Sequence, residues 1–257
     1  VTTSPDTTSI ALAQRLGTNA KVCEVVQNNV LSTSLREIVL QGSAQDLCGV
    51  PGNDVMIRLG DASGSFTRRR YSIRSVNDDD DQFTMWICTA HDGLGSQWAK
   101  SAAPGDAVDV VGPRGKIPLD PHADWHLFMG DVTGFSAFYR MAQSIEAPGK
   151  ATFIVEIDHD DDTPGAKFPE GVVASAVFVN RSGRGHTDAS GLLNGLAAFA
   201  FPPGEGHAYL FGEFSVINVL RTALLDRGLS DEQINRKAYW RVGRNNAENG
   251  EPEKDLS

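Results

Sequence analysis

With 257 residues, 40% of them hydrophobic and 22% charged, the chain is long enough to bury a large core and to hold two domains of ordinary size. A formal net charge of -10 and a pI near 5.0 argue against nucleic acid as the main partner, because neutralising phosphates calls for a basic surface; any anionic ligand must be held by a local cluster of cations. The three cysteines, Cys23, Cys48 and Cys88, are too widely spaced for a disulfide framework or a cysteine-ligated cluster, no run is apolar enough to span a bilayer, and the opening residues lack a basic-then-apolar leader. The expectation is a cytoplasmic protein with no membrane insertion.

In chain order, the first half reads as short strands at Lys21 to Val30, Ser34 to Gln41, Asp54 to Leu59, Arg69 to Val76, Gln82 to Ala90 and Ala107 to Val111, punctuated by Pro51-Gly52, Ala62-Ser63-Gly64 and Asp78 to Asp81. That rhythm predicts a barrel or sandwich. One interruption, Gly93-Leu94-Gly95-Ser96-Gln97-Trp98, reads as a glycine-rich turn opening a short helix with Ser96 as N-cap, and a helix start offers backbone N–H groups to a phosphate. After Pro118 strands at Trp125 to Gly130, Thr152 to Ile157, Val172 to Asn180, Ala208 to Gly212 and Lys237 to Val242 are joined by helical stretches at Gly134 to Ile145, Leu192 to Ala200 and Val216 to Arg227. Strands and helices in this order imply a parallel sheet covered on both faces, with the boundary near Leu119 to Ala123.

The run Arg69-Arg70-Tyr71-Ser72-Ile73-Arg74 is the most telling. Alternation puts Arg69, Tyr71 and Ile73 on one side of a strand and Arg70, Ser72 and Arg74 on the other. An arginine pairs with pyrophosphate, a tyrosine lies against an isoalloxazine and a serine hydroxyl bonds the flavin ring; the plainer alternative is an amphipathic strand with a basic solvated face. With it, in order, come His91-Asp92-Gly93-Leu94-Gly95-Ser96-Gln97-Trp98-Ala99, Pro104-Gly105-Asp106, Gly112-Pro113-Arg114-Gly115, Asp124-Trp125, Gly130-Asp131-Val132-Thr133, Gly212-Glu213 and Tyr239-Trp240-Arg241-Val242-Gly243. Jointly these segments resemble the siderophore-interacting proteins, flavin-dependent ferric-siderophore reductases of the ferredoxin–NADP reductase superfamily. The chain departs from the usual pattern at Val132, at Gly134-Phe135, at Leu210-Phe211 and at Arg244-Asn245-Asn246-Ala247-Glu248, departures that bear on the electron donor.

The resemblance implies a β-barrel plus α/β architecture: an N-terminal antiparallel Greek-key FAD-binding barrel over 1–122 and a parallel-sheet NAD(P)H-binding domain with a C-terminal tail over 123–257. FAD would be held by Arg69, Tyr71, Ser72, Ile73, His91, Gly93, Leu94, Gly95, Ser96, Gln97 and Trp98, with Asp131 and Thr133 nearby. Taken singly, Trp98 reads equally as core packing and His91 as a satisfied strand histidine. NAD(P)H, the co-substrate, would meet Gly130, Asp131, Thr133, Gly212 and Glu213 at carboxyl ends of parallel strands. Arg181 and Arg184 are candidates for a ribose 2′-phosphate, or are ordinary surface arginines. Arg74, Arg114, Lys116, Arg241 and Arg244 are candidates to hold an anionic ferric siderophore, Arg241 foremost, with Lys116 and Arg244 read also as solubilising charge. The protein itself would supply no metal ligands and no general acid or base. Ferredoxin is a second candidate donor. The alternatives are a siderophore- or flavin-binding module without turnover, and a flavin reductase of the same fold with another acceptor.

Overall fold

The computed structural model describes residues 4–60, 66–115 and 117–244. It divides into two compact units that change over between Pro118 and Leu119.

The first unit opens with helix α1 (Thr7–Leu16), a stretch to which the sequence reading assigns no element. Asp6 caps it by accepting from the Thr8 N–H at 2.9 Å, and Asp109 pins it by accepting from the Asp6 N–H (2.8 Å) and the Ser9 hydroxyl (2.9 Å). There follow β1 (Asn19–Val30), β2 (Leu35–Gln41), α2 (Ala44–Cys48), β3 (Asp54–Gly60), β4 (Phe66–Ser72), β5 (Ser75–Asn77), β6 (Gln82–Cys88), α3 (Leu94–Ser101) and β7 (Ala107–Arg114). The strands pair antiparallel in the order β4-β3-β7-β1-β2-β6-β5. In β6 the apolar residues Phe83, Met85 and Ile87 are buried and their neighbours half-buried, the period-two signature of a strand with one face on a core. Ile38, Leu40, Val55, Ile57 and Val110 complete that core.

The single strand expected over Arg69 to Val76 is two strands. β4 ends at Ser72, the Ile73 N–H bonds the Asn53 carbonyl beside β3, and the next N–H, that of Arg74, bonds the Thr84 carbonyl in β6. Consecutive amides thus carry the chain from the β3 side of the sheet to β6, and the apolar residue at the crossing, Ile73, is fully buried in the core.

The second unit contains β8 (Trp125–Asp131), α4 (Phe135–Ala142), β9 (Gly149–Ile157), β10 (Val172–Asn180), α5 (Ser190–Ala198), β11 (Gly206–Glu213), α6 (Phe214–Asp226) and β12 (Ile234–Trp240). All four pairings are parallel, in the order β10-β9-β8-β11-β12, so the strand order reverses between β8 and β11. Every residue of β8 and β11 is buried, as expected for central strands covered on both faces. Phe128 stacks on Phe153 and on Tyr209, each at 5.1 Å, and Phe138 stacks on Phe211 at 5.3 Å; the opposite face packs Leu127, Met129, Leu210 and Leu220. Gly130, next to last in β8, lies so close to β11 that a Cβ there would be 1.7 Å from the Phe211 carbonyl oxygen, a contact only glycine avoids. The β9 to β10 connection, residues 158–171, contains no helix. No helix among the described residues is long and apolar enough to cross a membrane.

Candidate functional site

In the first unit the structure brings four of the expected residues together. Arg69 and Tyr71 share one side of β4 and face α3, where a Cβ on Gly95 would sit 2.2 Å from the Tyr71 hydroxyl and 3.6 Å from Arg69 Cγ. A side chain at that position would have to displace the Tyr71 hydroxyl. Trp98, one turn along α3, stacks on Tyr71 with ring centroids 6.2 Å apart. Burial pushes the Tyr71 phenol pKa up, so the hydroxyl stays protonated and available to donate; burial likewise lowers the Arg69 pKa, a measure of the hydration that this cation has given up. An anion beside Arg69 would restore that loss.

The N-cap of α3 is Gly93, in extended conformation, and no side chain caps the helix. Ser96, expected there, is buried inside the helix and donates its hydroxyl to the Cys88 carbonyl at 3.2 Å. The exchange leaves the first backbone N–H groups of α3 uncapped by side chains, beside Arg69. That cradle fits a pyrophosphate. His91 lies in the turn before α3, half-buried, and Gln97 is exposed with its amide on the Asp92 carbonyl. On the other side of β4, Arg70 makes a two-pronged pair with buried Asp54 (2.8 and 2.7 Å), Ser72 is buried, and Ile73 is core.

At the carboxyl ends of the parallel strands, the residues expected to meet a nucleotide are tied to one another. Asp131 accepts from the Thr133 N–H and hydroxyl on one oxygen, and from the Glu213 N–H (3.1 Å) and the Trp240 indole (2.9 Å) on the other. Glu213 caps α6 through the Ser215 and Val216 N–H groups and accepts from the Val242 N–H. These carboxylates therefore lock β8, β11 and β12 in place. Sequence reasoning assigns Trp240 no role, although it stands within the quoted Tyr-Trp-Arg segment.

Arg181 and Arg184, the candidates for a ribose 2′-phosphate, sit against internal carboxylates. Arg181 is 5% exposed, with its Nε on Glu156 at 2.9 Å and an Nη on Asp158 at 2.5 Å, and it also contacts His186; Arg184 reaches the second Glu156 oxygen at 3.3 Å. Glu156 is itself almost fully buried, which raises its pKa, and the two guanidiniums oppose that rise. Arg181 is thus engaged by internal carboxylates that nothing in the local sequence pattern announces, whereas Arg184 stays partly exposed.

Four of the candidate substrate cations lie among the described residues, two in each unit. Arg74 is 9% exposed and lies over the Trp86 ring at 4.6 Å, and Arg114 donates to the Met56 sulfur at 3.2 Å, both in the first unit. In the second, Arg241 is half-buried over Phe214 at 4.7 Å and Arg244 is exposed. Lys116 lies outside the described residues.

An antiparallel barrel followed by a five-stranded parallel sheet is the architecture of the ferredoxin–NADP reductases. Two family profiles go further: "Siderophore-interacting FAD-binding domain" matches residues 61–117 and "Siderophore-interacting protein" matches residues 123–243. The chain belongs to the siderophore-interacting protein family. It is 27% identical over 162 residues to an uncharacterized protein of Mycobacterium tuberculosis, covering 59% of this chain and 56% of that one. To the ferric vibriobactin reductase of Vibrio cholerae it is 24% identical over 183 residues, 69% of this chain and 65% of that one. The chain thus spans less than two thirds of the length of these relatives. A siderophore utilization protein from T. fusca superposes with a TM-score of 0.77 at 23% identity, over 89% of this chain and 95% of that one.

Proposed function

We propose that the protein is an FAD-dependent reductase of ferric siderophores that takes electrons from a reduced nicotinamide nucleotide. The observation that carries this reading is the convergence of Arg69, Tyr71, Gly95 and Trp98 beside an α3 start that no side chain caps. The family match and the likeness to a ferric siderophore reductase support it. When bound, FAD supplies the chemistry, accepting two electrons from the nucleotide and passing them on singly, as reduction of ferric iron requires.

The residues of the chain bind and orient. Arg69 and the α3 N–H groups hold the pyrophosphate, Tyr71 keeps a protonated hydroxyl on the flavin side of β4, and Trp98 backs Tyr71 and fixes its ring. Ser72, expected to bond the flavin ring, is buried on the opposite side of β4 from Arg69 and Tyr71 and is given no part in holding it. Asp131, Glu213 and Trp240 act at one remove, by fixing the strand ends on which a nucleotide lies. Arg181 is engaged by Glu156 and Asp158, and Arg184, partly exposed, is the member of the pair offered to a ribose 2′-phosphate. Arg241, half-buried at the end of β12, and exposed Arg244 are the cations offered to an anionic chelate. The iron stays in the siderophore; ferrous iron, held more weakly by hard oxygen donors, then leaves it.

Anaerobic stopped-flow mixing of the FAD-loaded protein with NADH, NADPH or reduced ferredoxin, followed by a panel of ferric siderophores, tests the reading. Bleaching of the flavin by NADH or NADPH and its return on adding a ferric chelate are expected. A protein that stays colourless in excess FAD ends the proposal; bleaching by ferredoxin alone replaces the donor, and re-oxidation by quinones but not by chelates replaces the acceptor.

A further inference from the structure

The edges of the two sheets are β4 and β5 in the first unit and β10 and β12 in the second. An edge strand presents unpaired N–H and C=O groups, and proteins guard such edges with charge or short length. β4 carries Arg68, Arg69 and Arg70, β5 has only three residues, and β12 carries Arg236 and Lys237 along a half-buried strand. β10 has none of these guards. Its nine residues, Val-Val-Ala-Ser-Ala-Val-Phe-Val-Asn, hold no charge and no proline, and it pairs with β9 in unbroken register.

The same strand is bare on both faces. Residues 173–177 are all exposed, Val173 at 67% and Val177 at 47%, because the β9 to β10 connection lacks a helix and α5 reaches only as far as Val179. The Arg181 N–H turns inward to the Ile157 carbonyl, so in a parallel pair the odd-numbered residues spend their backbone groups on β9, and Ala174, Ala176 and Phe178 turn theirs outward.

We propose that β10 is a self-association edge, on which a second copy of this chain pairs antiparallel about Ser175 to make a ten-stranded sheet. The sequence Val173-Ala174-Ser175-Ala176-Val177 reads the same in both directions, which is what a two-fold interface demands: Val173 meets Val177 of the second copy, Ala174 meets Ala176, and Ser175 meets itself. The outward groups at Ala174 and Ala176 then face one another as hydrogen-bonded pairs. No like charges are superimposed, and Glu170, five residues before the centre, falls opposite Asn180, five residues after it, a carboxylate against an amide. A contact confined to one strand and its flanks belongs with weak interfaces below about 1,200 Å², so association depends on concentration.

Sedimentation velocity on the full chain over a concentration series reads this directly. The mass should climb from 27.6 kDa toward twice that value. Ser175→Lys and Ser175→Glu each put like charges across the two-fold and should sediment as single chains, whereas an equal mixture of the two should regain the parent's pairing, lysine against glutamate. Ala176→Pro, which removes an outward donor without touching the β9 ladder, should also lower the paired fraction, and circular dichroism verifies that each variant is folded. The proposal is overturned by a parent that stays at 27.6 kDa throughout, by charged variants that pair as the parent does, or by a mixture no better than its components.

Discussion

In the barrel, Arg69, Tyr71 and Trp98 gather around a helix start that no side chain caps, whereas at the ends of the parallel strands Asp131, Glu156 and Glu213 have their oxygens taken up by neighbouring donors. The first arrangement keeps a helix start clear of side-chain caps, with Arg69 bonded beside it to the Thr67 hydroxyl and the Arg68 carbonyl. The second spends its capacity on the fold. Residues with equal standing as motif members therefore do different work, and the difference lies in what surrounds them: N–H, hydroxyl and indole donors at Asp131 and Glu213, guanidiniums at Glu156.

The sharpest way to test that contrast is Arg181→Ala. It strips buried Glu156 of its nearer cation, and loss of one partner from a buried pair costs about 3–5 kcal/mol. Chemical denaturation should show the second unit weakened by that order while the first keeps its FAD affinity; an unchanged midpoint, with a selective loss of NADPH use, would return Arg181 to the nucleotide.

Acid is the next largest perturbation. His126, buried at 2% exposure in β8, has its pKa pushed down to about 4, first by burial and then by neighbouring His207. The unfolded chain takes up this proton near pH 6.5 and the folded chain does not, so the neutral imidazole's contribution is complete above pH 6.5 and is lost as pH falls toward 4. Thermal melts should weaken by roughly 1.4 kcal/mol per pH unit, about 3 kcal/mol over the window, and His126→Gln should flatten that slope.

Arg69→Ala addresses the barrel. It should weaken FAD retention by about ten- to a hundredfold, a charge-assisted contact of roughly 1.5–3 kcal/mol, with the melting of the FAD-free protein little changed. Retention of FAD together with a lower melting point would make Arg69 structural. The smallest effect is expected of Arg241→Ala, where loss of one partly solvated cation should raise KM for anionic ferric siderophores by roughly two- to fivefold and leave flavin reduction unaltered.

Much of the architecture is legible from local pattern. β6 alternates as its sequence says, and the apolar runs of β8 and β11 are central strands. What local pattern misses is set by distant partners. Helix α1 depends on Asp109, about a hundred residues on; the break at Ile73 depends on Asn53 and Thr84; the sequestration of Arg181 depends on Glu156. Ser96 has the composition of a cap, yet the helix begins at Gly93 because the serine hydroxyl finds the Cys88 carbonyl. Strand alternation alone puts Arg69 and Tyr71 on one side of β4 and Ser72 on the other.

The crossing at Ile73 and Arg74 fastens the chain to Asn53 and Thr84, and it closely follows Arg69 and Tyr71, which are proposed to hold the flavin. A ligand held by Arg69 and Tyr71 would stabilise the folded segment that carries these two amides. Occupancy and opening become thermodynamically linked, by an amount that grows with free ligand over its dissociation constant. Deuterium uptake at just these two amides would then serve as a gauge of saturation, read without any colour or turnover.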